Sequence, residues 1–193
     1  MRFLILCLFF VFGVAYAEPI KEMPERLGQF TESLDVVSAS FDQIKMIPES
    51  DKKFNATGRV KFKKGDGFIW IQEKPNKQVF VSTTDKYCID GQSNDLSSLP
   101  YFHYIRRVIN DTLNGDITKL NSVFDVDYSE YGKNQWQLTA KSRLSSVSNF
   151  LQDFVMYGTT ADLTKVIITY QDGTVVIIKF NRLNMEIKDE IVC

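Results

Sequence analysis

The fold class follows from one stretch of the chain, Phe54-Asn-Ala-Thr-Gly-Arg-Val-Lys-Phe-Lys63, and from the turn and short run after it, Gly65-Asp-Gly67 and Phe68-Ile-Trp-Ile71. In the first stretch, small or apolar residues alternate with polar and basic ones, which is typical of a β-strand with one wet face. The glycine-rich turn then returns the chain into an apolar strand. These residues therefore predict two neighbouring antiparallel strands.

The same alternation continues along most of the chain, with turns at intervals of about 8–12 residues. Such spacing favours a meandering antiparallel sheet. Residues 92–98 are polar and predict a loop. The other predicted strands cover residues 37–45, 78–83, 87–89, 123–128, 135–140, 149–157, 165–170 and 174–181.

Two segments carry the helical period instead. In residues 20–34 and 100–114, apolar side chains recur three and four positions apart, which predicts two amphipathic helices. Gly115 is suited to end the second helix, and Asp116 to cap a short third helix that runs to Leu120. Because the apolar stripes need a surface to cover, the sequence predicts an α+β fold, a strongly curved antiparallel sheet with a lid of two or three helices on one face.

The first residues have the pattern of a secretory signal peptide. One basic residue precedes an apolar run over residues 3–14, and Ala15-Tyr16-Ala17 is a small-residue cleavage signal. The run is shorter than the ~20 residues that span a bilayer as a helix. We therefore expect residues 1–17 to be removed, with an uncleaved anchor as the alternative, and residues 18–193 to form one exported domain.

Charge and cysteine content exclude several classes of function. The chain has 23 Lys and Arg against 24 Asp and Glu, a net charge of −1, so no nucleic-acid partner is expected. His103 and two distant cysteines lack metal-ligand spacing, and no nucleophile, phosphate-loop or Cys-x-x-Cys motif is present. We therefore expect a protein that is not an enzyme, with no metal and no cofactor. Cys88 and Cys193 are predicted either to form a disulfide or to remain free thiols.

Aromatic residues are abundant, with 15 Phe, 8 Tyr and 2 Trp. Strand alternation places many of them on the less polar face of the sheet. This face is interpreted either as an ordinary core or as the lining of an apolar cavity that hides hydrocarbon from water, at about 0.8 kcal/mol for each buried CH₂. The predicted cavity residues are Val60, Phe62, Phe68, Trp70, Phe80, Trp136, Leu138, Phe150, Phe154 and Met156, and the predicted lid residues are Leu27, Phe30, Leu34, Phe102, Ile105 and Ile109.

Two groups of short motifs follow one another along the chain. The first group is Val37-x-Ala39-x-Phe41-x-Gln43, Gly58-Arg-Val-Lys-Phe62, Phe68-x-Trp70, Pro75, Val81-Ser82 and Asp90-Gly91. The second group is Leu113-x-Gly115-Asp116-x-x-x-Leu120-x-x-x-Phe124-x-Val126, Trp136-x-Leu138, Phe150–Gly158, Asp172-Gly173 and Phe180. In order and spacing the first group resembles the LolA family of periplasmic carriers of outer-membrane lipoproteins, and the second resembles a LolA-like subgroup.

This resemblance implies an incomplete, unclosed β-barrel with a helical lid over an apolar cavity. It implies a periplasmic carrier that takes lipoproteins, or another acylated envelope lipid, from an inner-membrane lipid-release transporter to an outer-membrane receptor. The carrier is expected to be a monomer and to open when helices 20–34 and 100–114 swing off the sheet. In the family an Arg before a turn proline holds the lid closed; Lys64 and Gly65 match those positions, and Lys64 is the candidate latch.

Two other functions stay open at this point. A periplasmic sensory module of the RseB type uses a similar half-barrel to bind a lipid or protein partner in envelope-stress signalling. Such regulators normally carry a second C-terminal domain, whereas this chain is expected to end after its last strand. An exported hydrolase with an unrecognised site is the other alternative. Co-purifying lipid, an anti-sigma factor in a pull-down, or lipid turnover would distinguish the three functions.

Overall fold

The computed structural model describes the chain in five stretches. These are residues 22–50, 52–83, 86–95, 100–183 and 187–188, with the backbone alone at 94–95, 100–103 and 105–106. The predicted signal peptide at 1–17 lies outside the described residues, so its cleavage and the extent of the exported domain stay predictions.

Eleven strands and four helices form within the described residues. The strands are β1 (Val36–Met46), β2 (Lys53–Lys63), β3 (Gly67–Lys74), β4 (Gln78–Ser82), β5 (Lys86–Ile89), β6 (Gln92–Asp95), β7 (Phe124–Tyr131), β8 (Gln135–Ser142), β9 (Leu151–Thr159), β10 (Leu163–Tyr170) and β11 (Val175–Arg182). The helices are α1 (Glu25–Glu32), α2 (Pro100–Leu113), α3 (Ile117–Asn121) and α4 (Ser145–Ser148).

All the strands join in one antiparallel sheet with the order β6-β5-β4-β3-β2-β1-β11-β10-β9-β8-β7. Strands that follow one another in the chain are neighbours, except that β1 pairs with β11 at the centre and that β6 and β7 form the two ends of the described sheet. The sheet is therefore a barrel that stays open, and α2 and α3 lie in the connection between its two edges. The predicted α+β class, with an unclosed antiparallel sheet and covering helices, is confirmed.

Strand β6 lies where the polar composition predicted a loop. Asp90 and Gly91 both have positive φ, 50° and 80°. An Asp-Gly pair with these angles forms the two-residue turn that fits a β-hairpin. The chain therefore returns at once and pairs with β5 in antiparallel register. The loop prediction is wrong for residues 92–95, since polar side chains are also suited to a strand at the edge of a sheet.

Helix α1 begins later than the apolar period predicted. Its first residue is Glu25, and Pro24 before it is extended, with φ −62° and ψ 143°. A proline disfavours helical geometry in the residue that precedes it. The helix therefore does not extend back through Met23.

One turn of helix, α4, precedes β9, where the alternation predicted strand from Asn149. The N–H groups of Asn149 and Phe150 donate to the carbonyl oxygens of Ser145 and Val147, both at 3.1 Å. These groups are already bonded within the turn. The strand consequently begins at Leu151.

The helices lie closely over one part of the concave face. α1 contacts β8 and β9, α2 contacts β9, α3 contacts β7, and α4 contacts β8 and β9. Below these helices the interior side chains are closely packed. We call the concave side of β7–β9 the packed half; its central residues, all fully buried, are Trp136, Leu138, Ala140, Phe154 and Met156.

The outer face of the sheet carries a smaller apolar cluster near β3–β5. Its buried residues are Ile69, Ile71, Val81, Cys88 and Ile187. The N–H of Ile187 donates to the hydroxyl oxygen of Ser38 in β1 at 3.0 Å, which fixes the later chain against this face. Cys88 takes part in a disulfide. Its predicted partner Cys193 lies outside the described residues, so that pairing stays a prediction.

Candidate functional site

An apolar cavity lies between the sheet and helices α1 and α2. The cavity has a volume of about 100 Å³. Its floor comes from β1, β2, β3, β10 and β11. The lining residues are Phe30, Leu34, Val37, Ala39, Val60, Phe62, Phe68, Trp70, Ile109, Leu113, Ala161, Asp162, Leu163, Val166, Ile168, Ile178, Phe180 and Arg182.

Strand alternation explains the floor of the cavity. Val60 and Phe62 are two residues apart in β2, and Ile178, Phe180 and Arg182 continue one row along β11. Since successive side chains of a strand point to opposite faces, each row reaches the same side of the sheet. We call the concave side of β1–β3, β10 and β11 the hollow half.

Trp70 and Phe180 belong to this floor, and the buried ring of Phe41 packs against Trp70. The rings of Phe41 and Trp70 stack with their centroids 3.7 Å apart, and Trp70 meets Phe180 edge-on at 6.3 Å. Gly58 leaves the room for this stack. A Cβ atom at position 58 would lie 2.8 Å from Cζ of Phe41 and 2.0 Å from the carbonyl oxygen of Ile71, closer than any real contact. The glycine in β2 is therefore required by the packing of its neighbours.

The turn between β2 and β3 is hydrogen-bonded to both helices that roof the cavity. Nζ of Lys64 donates to the carbonyl oxygen of Thr31 in α1 at 3.1 Å. The N–H of Gly65 donates to Oδ1 of Asn114, directly after α2, at 3.3 Å. The predicted latch residue thus lies at a contact between the sheet and α1, and the neighbouring backbone lies at a contact with the end of α2.

Helix α1 is also bonded to the hairpin of β7 and β8. Nε of Arg26 lies 2.9 Å from Oε2 of Glu130, and its Nη1 donates to the carbonyl oxygens of Tyr131 and Gln135 at 3.2 and 3.0 Å. The hydroxyl of Tyr128 donates to Oε1 of Glu130 at 2.9 Å. Burial, and then this bond to the carboxylate, raise the pKa of Tyr128 far above its usual value. The start of α1 is therefore fixed on the packed half.

The structure brings together part of the predicted cavity residues. Val60, Phe62, Phe68 and Trp70 line the cavity. Phe80 instead packs between the rings of Phe68 and Tyr87, and Phe150 is partly buried against the main core. Trp136, Leu138, Phe154 and Met156 are fully buried in the packed half and do not line the cavity.

Trp136 shows why the packed half has no space. Its Nε1 donates to the carbonyl oxygen of Thr159 at 2.8 Å, and its ring lies 5.3 Å from that of Phe30. The ring covers Gly158, where an added Cβ atom would come within 2.2 Å of it. The indole therefore fills this part of the interior and has its polar atom satisfied.

Three of the predicted lid residues lie in the roof of the cavity. Phe30 and Leu34 reach the cavity from α1 and the residues after it, and Ile109 reaches it from α2. Leu27 is fully buried but does not line the cavity. The side chains of Phe102 and Ile105 lie outside the described part of the structure.

Sequence reasoning did not single out the contributions of β10 and β11. Val166 and Ile168 in β10 and Ile178 and Phe180 in β11 form a large part of the floor. Their alternation is visible in the sequence and could have placed them on the concave face. The pairing of β11 with β1, which places Phe180 opposite Phe41, joins residues far apart in the chain and has no local signal.

Other kinds of site receive no support from the described residues. They contain no group of three or more His, Cys, Asp and Glu side chains arranged to hold a metal ion. Within the same stretches, none of the helices has both the length and the apolar character of a membrane span.

Comparison with known proteins identifies the family. The sequence profile described as "Outer membrane lipoprotein carrier protein LolA" matches residues 32–190. This match extends over more than half of the chain and includes every strand of the sheet. The chain therefore belongs to the LolA family.

Individual relatives are more distant. An outer-membrane lipoprotein carrier protein of Francisella tularensis (strain WY96-3418) is 28% identical over 143 residues, and that of Francisella tularensis subsp. novicida (strain U112) is 27% identical over 143 residues. Each match covers 68% of this chain and 65% of the relative. The chain thus spans about 65% of the length of these curated relatives.

Two solved structures from other bacteria align with most of this chain. A LolA superfamily protein from Nitrosomonas europaea aligns with a TM-score of 0.46 and 13% identity, over 88% of this chain and 94% of that one. The MucA/MucB complex of Pseudomonas aeruginosa aligns with a TM-score of 0.48 and 14% identity, over 87% of this chain and 59% of that one.

Proposed function

We propose that the protein is a non-enzymatic periplasmic carrier that holds the acyl chains of lipoproteins, or of a related envelope lipid, in the apolar cavity during transfer from the inner to the outer membrane. The observation that supports this most is the cavity itself, an apolar space with an aromatic floor in a chain of the LolA family. The relatives' name, outer-membrane lipoprotein carrier protein, agrees with it.

The size of the cavity bears on how a lipid would enter. A myristoyl chain has about 14 carbons, and burial contributes about 0.8 kcal/mol for each CH₂. The cavity volume of about 100 Å³ compares with the ~30 Å³ that one water molecule occupies in the liquid. It therefore suits part of one acyl chain as it stands, and a complete chain requires α1 or α2 to move away from the hollow half.

Opening would break few hydrogen bonds between the turn after β2 and the roof. The bonds from Lys64 to Thr31 and from Gly65 to Asn114 are the ones described there. Each contributes a net stabilisation of about 1 kcal/mol. Lys64 offers one point charge where an Arg would offer a planar fork of donors. The bonds at this turn therefore add little to the closure, whereas the start of α1 stays fixed on the packed half by Arg26.

Release at the second membrane is favoured by the nature of the lining. Apolar contacts are non-directional and tolerate different chain shapes, so a lipid can leave stepwise without a deep free-energy well. The proposed route begins with export by the signal peptide at residues 1–17. It continues with a monomer that receives its cargo from an inner-membrane lipid-release transporter and delivers it to an outer-membrane receptor.

The test is binding of a fluorescent fatty acid by the purified protein, measured by titration. The wild type is expected to bind, and Trp70→Asp is expected to weaken binding at least about tenfold, because a carboxylate in an apolar cavity is strongly disfavoured. Phe54→Asp is the matched control. Phe54 is an aromatic residue of β2 that is 50% exposed and does not line the cavity.

A cooperative thermal unfolding transition in Trp70→Asp and in Phe54→Asp would show that each variant is folded. Mass spectrometry of the protein purified from its own envelope identifies the natural cargo. Absence of any bound or absorbed lipid in the wild type would contradict the carrier function. Recovery of an anti-sigma factor instead of lipid would support the sensory alternative.

A further inference from the structure

Two charged side chains stand at the exposed margin of the otherwise apolar cavity. Among the described lining residues, Asp162 and Arg182 are the charged ones. Asp162 lies in the turn between β9 and β10, and Arg182 is the last residue of β11. Nη1 of Arg182 lies 3.2 Å from Oδ1 of Asp162 and also donates to the carbonyl oxygen of Ala161 at 3.2 Å. The ion pair therefore has a fixed place where the cavity meets solvent.

The Asp162 carboxylate has an acceptor that the described protein groups leave unused. Its Oδ1 is buried and accepts no hydrogen bond from them, so the approach of Arg182 is a contact between charges and not an aligned hydrogen bond. A buried acceptor without a donor is unfavourable, so a donor supplied by a ligand would be stabilising there. The guanidinium of Arg182 has five N–H donors, of which the carbonyl of Ala161 uses one.

Backbone groups and Thr159 hold this turn in place. The N–H groups of Ala161 and Asp162 donate to Oγ1 of Thr159 at 3.2 and 3.0 Å, and the N–H of Thr159 donates to the carbonyl oxygen of Asp162 at 2.8 Å. The side chain of Asp162 takes no part in these bonds. It can therefore be replaced without loss of the turn.

We infer that Asp162 and Arg182 form a head-group subsite for amide-linked acyl chains, in which Oδ1 of Asp162 accepts the amide N–H and the Arg182 guanidinium donates to the acyl carbonyl oxygen. This inference rests on the proposed carrier function and names the class of cargo, an N-acylated amphiphile. The chain of such a molecule enters the hollow half while its amide stays at the margin.

Other head groups match this pair less well. An ionised phosphate has no donor for Oδ1 and is repelled by the carboxylate of Asp162. An ester-linked chain offers the carbonyl but lacks the N–H. Because Asp162 lines the cavity, a donor that reaches its carboxylate lies beside the acyl chain. An amide nitrogen meets this requirement because it is bonded to the acyl carbon itself.

The experiment compares N-methyldecanamide with methyl decanoate, which differ only in an N–H in place of an oxygen. Each ligand is titrated into the wild type, Asp162→Ala and Arg182→Gln with a fluorescent fatty acid bound. The affinity of the ligand is obtained from the displacement of that fatty acid. Asp162→Ala is expected to lower the affinity for the amide about tenfold, the loss typical of one hydrogen bond to a charged group, and to leave the ester within about twofold. Arg182→Gln is expected to lower both affinities, since both ligands have the carbonyl.

Asp125→Ala is the matched control, because Asp125 on β7 is exposed, pairs with Arg143 and does not line the cavity. It is expected to change neither affinity. An amide-to-ester affinity ratio that is the same in the wild type and Asp162→Ala would overturn the head-group subsite while the carrier function stands. Failure of the wild type to bind either ligand or the fluorescent fatty acid would overturn both. Circular dichroism confirms the fold of each variant, and Asp162→Asn repeats the comparison with an isosteric side chain.

Discussion

The packed half and the hollow half of the concave face are built from similar residues but differ in what they enclose. Each places an aromatic ring over a glycine of the sheet, Trp136 over Gly158 and Phe41 over Gly58. In the packed half the ring fills the interior and its neighbours are fully buried. In the hollow half the stacked ring of Trp70 borders an empty space.

The difference follows from where the helices lie. α1, α3 and α4 contact β7–β9 and close the space above them. Over the hollow half the cavity is roofed by Phe30 and Leu34 in and after α1 and by Ile109 and Leu113 in α2. A row of apolar side chains on a strand thus becomes packed core or cavity lining according to the element that lies opposite it.

The largest expected contrast is between the two tryptophans. Trp136→Ala should lower the free energy of unfolding by about 3–5 kcal/mol, because it removes a fully buried ring and leaves a cavity. Trp70→Ala should cost roughly half as much, because its ring already borders empty space. Urea unfolding followed by circular dichroism measures both. Equal losses would mean that the two halves are packed alike.

The reverse change tests the space itself. Ala140→Leu in the packed half should lower the free energy of unfolding by about 1–3 kcal/mol through overpacking. Ala39→Leu in the hollow half should change it by less than about 1 kcal/mol, because the added methyl groups enter the cavity. The same variant should bind a fluorescent fatty acid more weakly. Unchanged lipid binding in Ala39→Leu, or a large loss of stability, would contradict the position of the cavity.

A smaller effect is expected where α3 covers β7. Asp116 caps this helix by accepting from the N–H of Lys119 at 3.0 Å, and its Oδ2 lies 2.7 Å from Nζ of Lys119. Asp116→Ala should lower the free energy of unfolding by about 1 kcal/mol at neutral pH. Asp116→Asn is the control that keeps a capping acceptor.

The Asp116 effect should depend on pH. The hydrogen bond to the Lys119 ammonium, and then that to its N–H, hold the pKa of Asp116 below its usual 3.8. A carboxyl group whose pKa is lowered by folding stabilises the fold above its unfolded pKa and loses that contribution as pH falls through the folded pKa. The difference between wild type and Asp116→Ala should therefore be full at neutral pH and shrink as pH falls below 3.8 and through the lower folded pKa. A constant difference across this range would show that the charge of Asp116 is not involved.

The smallest change in stability is expected at the contact between the hollow half and its roof. Lys64→Met keeps the length of the side chain but removes the bond to the carbonyl oxygen of Thr31, so we expect a loss of about 0.5–1 kcal/mol. If this bond holds the roof closed, stopped-flow mixing should show several-fold faster exchange of a fluorescent fatty acid. Lys53→Met, at the other end of β2, is the control. Equal exchange rates in Lys64→Met and Lys53→Met would show that the Lys64 bond does not control movement of the lid.

Much of the fold could be predicted from the sequence because its signals are local. The alternation in residues 54–63 and the helical period around Leu27 each show which side chains share a face. The strand β6 was missed because its polar residues suit a loop as well as an edge strand. The Asp90-Gly91 turn is the local signal that indicates the hairpin.

The candidate site could be predicted only in part. Alternation placed Trp70 and Trp136 on the same apolar face, and it contains no information about which of them borders empty space. Asp162 and Arg182 were not singled out. Arg182 extends the visible row of Ile178 and Phe180, but its contact with Asp162 depends on the way β10 and β11 pair.

By itself the sequence determined an antiparallel sheet with one apolar face and amphipathic helices to cover it, since each of these depends on periodicity within a few neighbouring residues. Only the tertiary structure decided that the helices close over β7–β9 and leave a cavity over β1–β3, β10 and β11. The physical reason is that an empty volume is the difference between the shapes of two packed surfaces. That difference is set by contacts between residues far apart in the chain.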